Sequence, residues 1–260
     1  MKSKKKGFKN LKVVDPSNHT SRIDKTPVEV EDLNPFPYIF KTKFDFDFEN
    51  NYEKIYENMA VAKKLMEEDD QYSKELADSK YFRDGALTTS HLNGSFINDQ
   101  KYNPPHTWPQ LSEFSKSFLP KVIGRIWDLW SLEKTAKPFI GESWINCHPK
   151  GASVGPHHHQ GVEIAIACYL DVPENGGRLM VKSPLEIYNY AMPMDNCFAI
   201  EDGRRWRYID VKTNDVILFP GWLHHMTEPN RNINGEERWM MSANVYGAVF
   251  HHDGYNITKL

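Results

Sequence analysis

Residues Gly151–Ala165 read GASVGPHHHQGVEIA, and three consecutive histidines, His157, His158 and His159, stand between a Gly/Pro turn and the apolar run Ile164–Leu170. Alternate side chains of an extended chain face the same way, so His157 and His159 point together and His158 points away. One metal ion at the mouth of a strand is thereby offered two imidazoles. Neutral imidazole suits iron, zinc, copper and nickel, and an open facial set of ligands suits non-haem iron. A solvated histidine cluster in a loop is the plain alternative. A third ligand elsewhere decides between them.

Working outward toward the C-terminus, Ile164–Val172 is a nearly continuous apolar strand, and Arg178–Lys182 follows the PENGG turn. Asp215–Phe219 then runs into PGWLHHMTEPN, where His224 and His225 offer an imidazole at the end of a second strand. Two histidine-bearing strand ends separated by a β segment favour a metal site over two unrelated structural histidines. Thirteen residues after His225, Arg238 opens ERWMMSANVY. Arg238, Met240 and Ser242 share one face of that strand. A guanidinium aimed inward beside a hydroxyl is what a bidentate carboxylate clamp requires. A salt bridge from Arg238 to Glu236 or Glu237 is the competing reading.

The strands continue with Pro138–His148 and close with Arg238–Val249. Many short strands between turn clusters indicate a sandwich or barrel. Residues 183–210 form a longer insertion rich in aromatics and arginine, and long loops on a β scaffold often carry specificity. Ahead of the strands, Asn34–Phe48 alternates aromatic and polar residues like a half-buried strand. From Asn51 to about Asp69, Ile55, Met59, Val61, Leu65 and Met66 recur at helical spacing. A strand is expected around TTSHLNGSF (residues 88–96), and Trp108–Leu132 reads as one or two helices interrupted near Pro120. Residues 1–33 read as a polar arm, and residues 34–260 as one domain. Within it, 34–137 form a mixed α/β buttress and 138–250 the β core.

Apolar residues make up 40% of the 260-residue chain and charged residues 26%, which is ordinary for a globular protein with a proper core. The formal net charge of -3 hides six lysines and no acid in residues 1–12. That basic arm reads as a solubilising tail or an assembly contact, and nucleic acid is the less favoured partner. It lacks the apolar segment of a secretory signal, and no run approaches the ~18–20 apolar residues of a membrane span. Cys147, Cys168 and Cys197 are scattered without CxxC pairing. No disulfide framework and a cytoplasmic location are therefore expected.

The ordered set SWINCHPKGASVGPHHHQ, YLDVPENGGRLMV, NDVILFPGWLHHMTEPN and ERWMMSANVY resembles the Fe(II)/2-oxoglutarate-dependent dioxygenases, and most of all the oxygenase group found widely in bacteria and phages. The resemblance spans roughly residues 138–248. It implies a mainly β fold, a double-stranded β-helix (a cupin-like jelly roll) with an α-helical N-terminal buttress. It also implies Fe(II), 2-oxoglutarate and O2 as cofactor and cosubstrates, and a hydroxylase releasing succinate and CO2. Carried over by position, His157, His159 and His225, not His224, hold the metal, and no catalytic residue beyond these ligands is implied. Arg238 grips the distal carboxylate of 2-oxoglutarate with Ser242 as helper. Asn146, and more weakly Tyr169, hydrogen-bond the cosubstrate. Tyr188, Tyr190, Arg204 and Trp206 are candidates for the rim that meets an unidentified small molecule or protein side chain.

One departure stands out, because the wider superfamily normally places a carboxylate in the slot of His159. The spacing from His157 and His159 to Glu163 also resembles a cupin motif, and Glu163 is expected as an outer neighbour of the ligands. His251-x-Asp253 follows every other candidate and is read as a decoy. Two rivals remain open: a cupin-like metalloprotein that does not use 2-oxoglutarate, and a non-catalytic jelly-roll module of a virion or binding protein.

Overall fold

A computed structural model gives the structure of the protein and describes residues 39–44, 48–68, 82–90, 96–97, 100–101, 103–132, 136–182 and 206–249. All lie in the compact unit Phe36–Leu260. In chain order the elements are β1 (Phe40–Lys43), α1 (Phe48–Glu68), β2 (Phe82–Arg83), β3 (Leu87–Thr88), β4 (Phe96–Ile97) and β5 (Gln100–Lys101). There follow α2 (Leu119–Leu129), β6 (Ala136–His148), β7 (Ser153–Val154), β8 (Ile164–Asp171) and β9 (Leu179–Lys182). Last come β10 (Trp206–Ile209), β11 (Asp215–Pro220), β12 (His225–Thr227) and β13 (Arg238–Val249).

The strands build a six-stranded sheet, ordered β1-β11-β8-β13-β6-β3, and a three-stranded sheet, ordered β10-β9-β12, with every pairing antiparallel. Period-2 alternation divides the large sheet into two faces. Ala165, Ala167 and Tyr169 of β8, Ile217 and Phe219 of β11 and Met240 of β13 pack against Leu179 and Val181 of the small sheet. The residues between them in sequence, such as Ile166, Cys168, Leu218, Met241 and Ala243, join a second cluster with α1 and α2. A strand buried on both faces needs apolar residues at every position, which is why β8 reads as a continuous run. A mainly β, antiparallel pair of sheets with few helices is consistent with a jelly roll.

Helix α1 presents Ile55, Met59, Ala62 and Met66 to that second cluster, whereas Val61 is 59% exposed. Ala62, not Val61, therefore completes the i, i+4, i+7 stripe. The helical stretch before α2 is interrupted, as expected, but ahead of Pro120. Short 3-10 turns at Pro105–Thr107 and Pro109–Leu111 lead to a π turn over Phe114–Phe118, closed by the Leu119 N–H donating to the Phe114 carbonyl. Pro120 has no N–H with which to bond the carbonyl four residues back, and the wider turn takes up that mismatch. The expected strand Asn34–Phe48 is described as a strand only over β1, and Phe48 already opens α1. Phe44 is packed on Phe114 and Phe118. Part of the expected insertion 183–210 is strand, since Trp206–Ile209 pairs with β9. No helix among the described residues is long and apolar enough to cross a membrane. The arm (1–33), Tyr188, Tyr190, Arg204, Cys197, His251 and Asp253 lie outside the described residues.

Candidate metal centre

The histidine segment and β12 meet through an antiparallel bridge. The His157 N–H donates to the His225 carbonyl at 3.0 Å and the His225 N–H to the His157 carbonyl at 2.9 Å. Beside it, the His159 N–H donates to the carbonyl of Gly221 at 2.8 Å. Gly221 permits this approach, because a Cβ there would stand 2.2 Å from the Val162 carbonyl oxygen. Backbone bonds alone thus bring three imidazoles together. One ring nitrogen from each of His157, His159 and His225 lies within 4.8 Å of the other two. His158 and His224 form a separate exposed pair, with ring centroids 4.6 Å apart.

Each inward ring has an acceptor at Nδ1. His157 Nδ1 lies 2.9 Å from the Gly155 carbonyl oxygen, and His225 Nδ1 lies 2.9 Å from that of Leu223. His159 Nδ1 lies 2.6 Å from Asn244 Oδ1. An oxygen that only accepts requires the proton on Nδ1, so the network assigns a bare Nε2 to all three rings. Burial reinforces the neutral form. It pulls the His157 imidazolium down to about 4 and holds His159 below the ordinary histidine value. His225 lies well below it, from burial first and then from the neighbouring His157 and His159. Three neutral, tautomer-fixed imidazoles converging on one point could hold a metal ion.

The three histidines line a cavity of about 390 Å³ between the two sheets. Its wall also carries Asn146 and Ser242, which are hydrogen-bonded to each other at 3.0 Å. Glu142, Trp144, Gln160, Thr227, Asn244 and Tyr246 contribute polar or aromatic surface that the sequence reasoning did not single out. Asn244 has the same strand parity as Ser242, and that was the signal available for it. Glu163 and Trp206 are not part of this wall.

Arg238 departs from the expectation of a guanidinium open to the site. It shares the inner face of β13 with Met240 and Ser242 but is fully buried and outside the cavity wall. Nε and Nη2 donate to His148 Nδ1, Nη1 to the Gly176 carbonyl at 2.6 Å, and both Nη atoms to the Glu228 carbonyl at 3.3 Å. All five guanidinium N–H groups therefore have protein acceptors. Two buried donors close to this cation lack one. Burial and Arg238 keep His148 neutral, and its Nδ1 accepts, so the proton is on Nε2, which has no partner. The Tyr169 hydroxyl is likewise buried without a partner. Its phenol is raised by burial and drawn down by Arg238, and it stands opposite Met240 of the cavity wall in the β8–β13 register.

Comparisons with known proteins give one family match and several distant structural likenesses. Residues 142–244 match a family described as "Putative 2OG-Fe(II) oxygenase". No curated protein matches the chain. Among solved structures, an oxidoreductase of the 2OG-Fe(II) oxygenase family from Burkholderia pseudomallei is 19% identical, over 56% of this chain and 60% of that chain, with TM-score 0.41. The match thus spans less than two thirds of the Burkholderia protein. A prolyl-4-hydroxylase from Pseudomonas putida is 11% identical, over 80% of this chain and 91% of that one, with TM-score 0.46. AviO1 from Streptomyces viridochromogenes Tue57 is 12% identical, over 85% and 93%, with TM-score 0.47. These likenesses are too slight to carry any substrate across. The family match concerns a defined part of the chain: it begins at Glu142 in the cavity wall, ends at Asn244 and encloses all three histidines.

Proposed function

We propose that the protein is an Fe(II)- and 2-oxoglutarate-dependent dioxygenase that hydroxylates a small molecule or a protein side chain. The observation that carries this reading is the set of three inward Nε2 atoms, each bared by a hydrogen bond from its own Nδ1. His157, His159 and His225 would hold the iron. The unpartnered Tyr169 hydroxyl and His148 Nε2–H, next to the charge of Arg238, fit the far carboxylate of the dicarboxylate. The Asn146–Ser242 pair offers polar contacts along the wall between. When bound, the iron, 2-oxoglutarate and O2 supply the oxidising chemistry, the cosubstrate leaving as succinate and CO2. The chain's own part is to fix the ligand tautomers, orient the dicarboxylate and surround the site with apolar wall such as Leu179, Phe219 and Met240, which excludes water.

One observation favours a second reading, a metalloprotein that takes no 2-oxoglutarate: the guanidinium of Arg238 already has an acceptor for every N–H. Anaerobic titration with Fe(II) and then 2-oxoglutarate separates the two. The oxygenase develops a metal-to-ligand charge-transfer band. Tyr169→Phe, which removes a buried hydroxyl without opening a cavity, should raise the 2-oxoglutarate needed by roughly 10-fold and leave Fe(II) uptake intact. Iron uptake without any band would establish the second reading instead.

A further inference from the structure

We propose that Glu142, acting through Asn244, dictates which ring nitrogen of His159 faces the metal centre and supplies the negative charge that an all-imidazole ligand set lacks. The proposal rests on the iron site proposed above. Its basis is a run of hydrogen bonds with only one consistent polarity. A carboxylate can only accept, and Glu142 Oε2 lies 3.1 Å from Asn244 Nδ2 and 3.1 Å from the Tyr246 hydroxyl. The amide of Asn244 is therefore turned with its NH2 toward Glu142 and its Oδ1 toward His159. That oxygen, 2.6 Å from His159 Nδ1, obliges Nδ1 to carry the proton and leaves Nε2 free.

The other two rings have main-chain acceptors at Nδ1. His157 and His225 lean on the carbonyls of Gly155 and Leu223, whose polarity is fixed by the main chain. His159 instead takes its tautomer from side chains, which can be replaced. The negative charge absent from the ligand shell is found one amide further out.

A local irregularity assembles this run. In the β13–β6 pairing, Asn244 stands opposite Glu142, but Val245 already stands opposite Ile140, so Gly141 is an extra residue. A bulge of this kind re-aims the neighbouring side chains. It sets Glu142 over Asn244 while Tyr246 crosses Gly141 closely. A Cβ at Gly141 would lie 2.6 Å from the Tyr246 ring, so only glycine lets that hydroxyl reach the carboxylate.

The test uses the metal-free full chain, with 15N NMR of the imidazoles to report tautomers and Co(II) titration to report affinity. In the wild type, His157, His159 and His225 should all show Nδ1–H. Asn244→Leu and Glu142→Ala should shift His159 toward the Nε2–H form and weaken Co(II) by roughly 10–100-fold, the range for outer partners of ligand histidines. His157 and His225 should keep their tautomers in both variants and so report an intact fold. Glu142→Gln can still accept from Asn244, so it should keep the His159 tautomer while weakening Co(II) by a smaller factor. That outcome would separate charge from orientation. If Glu142→Ala, a change at an exposed residue, leaves both the His159 tautomer and Co(II) affinity unchanged, the proposal is overturned even where Asn244→Leu fails to fold. If the wild type shows the expected tautomers but takes up no Co(II), the iron reading fails and the hydrogen-bond run stands.

Discussion

Five histidines occupy one small ribbon of this protein, and strand parity gives them opposite environments. His157, His159 and His225 turn inward and meet within 4.8 Å, each with an acceptor on Nδ1. His158 and His224, their immediate neighbours in sequence, are exposed and lie against each other with their rings tilted by 40°. Residue type and position along the chain are nearly the same for both groups. What differs is direction: parity turns the inner three toward one another, and an acceptor on Nδ1 orients each of those rings, as outer partners do for metal-binding histidines. The comparison also explains why a three-histidine run need not act as a tag-like cluster.

The largest expected effect falls on the inner group. His225→Ala removes a ligand that lies in the backbone bridge, and Fe(II) uptake measured by anaerobic titration should be abolished. Retention of uptake would break the distinction between the two groups. Acidification comes next. The buried His157 holds off a proton down to about 4, whereas the unfolded chain takes one near the ordinary value of 6.5. Between those values the unfolded state binds more protons, so stability should fall as pH drops from about 6.5 toward 4 and be insensitive to this group above that window. Urea midpoints of the metal-free protein across that range would check it. His159→Asp should sharpen the comparison from the ligand side. It places a carboxylate where an imidazole now stands, and Fe(II) should still bind. Loss of the metal would mean that the two side chains do not reach the same point. The smallest effects belong to the outer pair. His158→Ala and His224→Ala should change folding stability by no more than about 0.5 kcal/mol and leave the Fe(II) titration unaltered.

Much of this was legible in the sequence for a physical reason. Alternation is a local property of an extended chain, so the parity of His157 and His159 holds even where the segment forms a single bridge rather than a long strand. The bounds of β13, Arg238–Val249, coincide with the sequence expectation because an apolar, charged-start, Gly-containing run is self-delimiting. The inward direction of Asn146 and Ser242 follows from the same period. The surroundings of Arg238 did not follow, because beside His148 its acceptors are main-chain carbonyls of Gly176 and Glu228, and any sequence supplies carbonyls. Glu142 was hidden for a different reason. The bulge at Gly141 shifts the β6–β13 register by one residue, and a glycine between Ile140 and Glu142 gives no sign in sequence of where its partner strand will slip. The helix boundary before Pro120 could be located only to within a turn, since proline forbids a hydrogen bond but leaves open how the chain accommodates the loss.

The main-chain bridge between His157 and His225 has a practical consequence. Two of the three candidate ligands are locked by the fold itself, so no ion is needed to bring them together. A preformed set of neutral nitrogens follows the general preference of divalent ions, which places copper, nickel and zinc above ferrous iron. Protein isolated from cells should therefore carry whichever of these competitors its host and buffers supplied, and chelation followed by reloading under an oxygen-free atmosphere is the preparation its chemistry calls for.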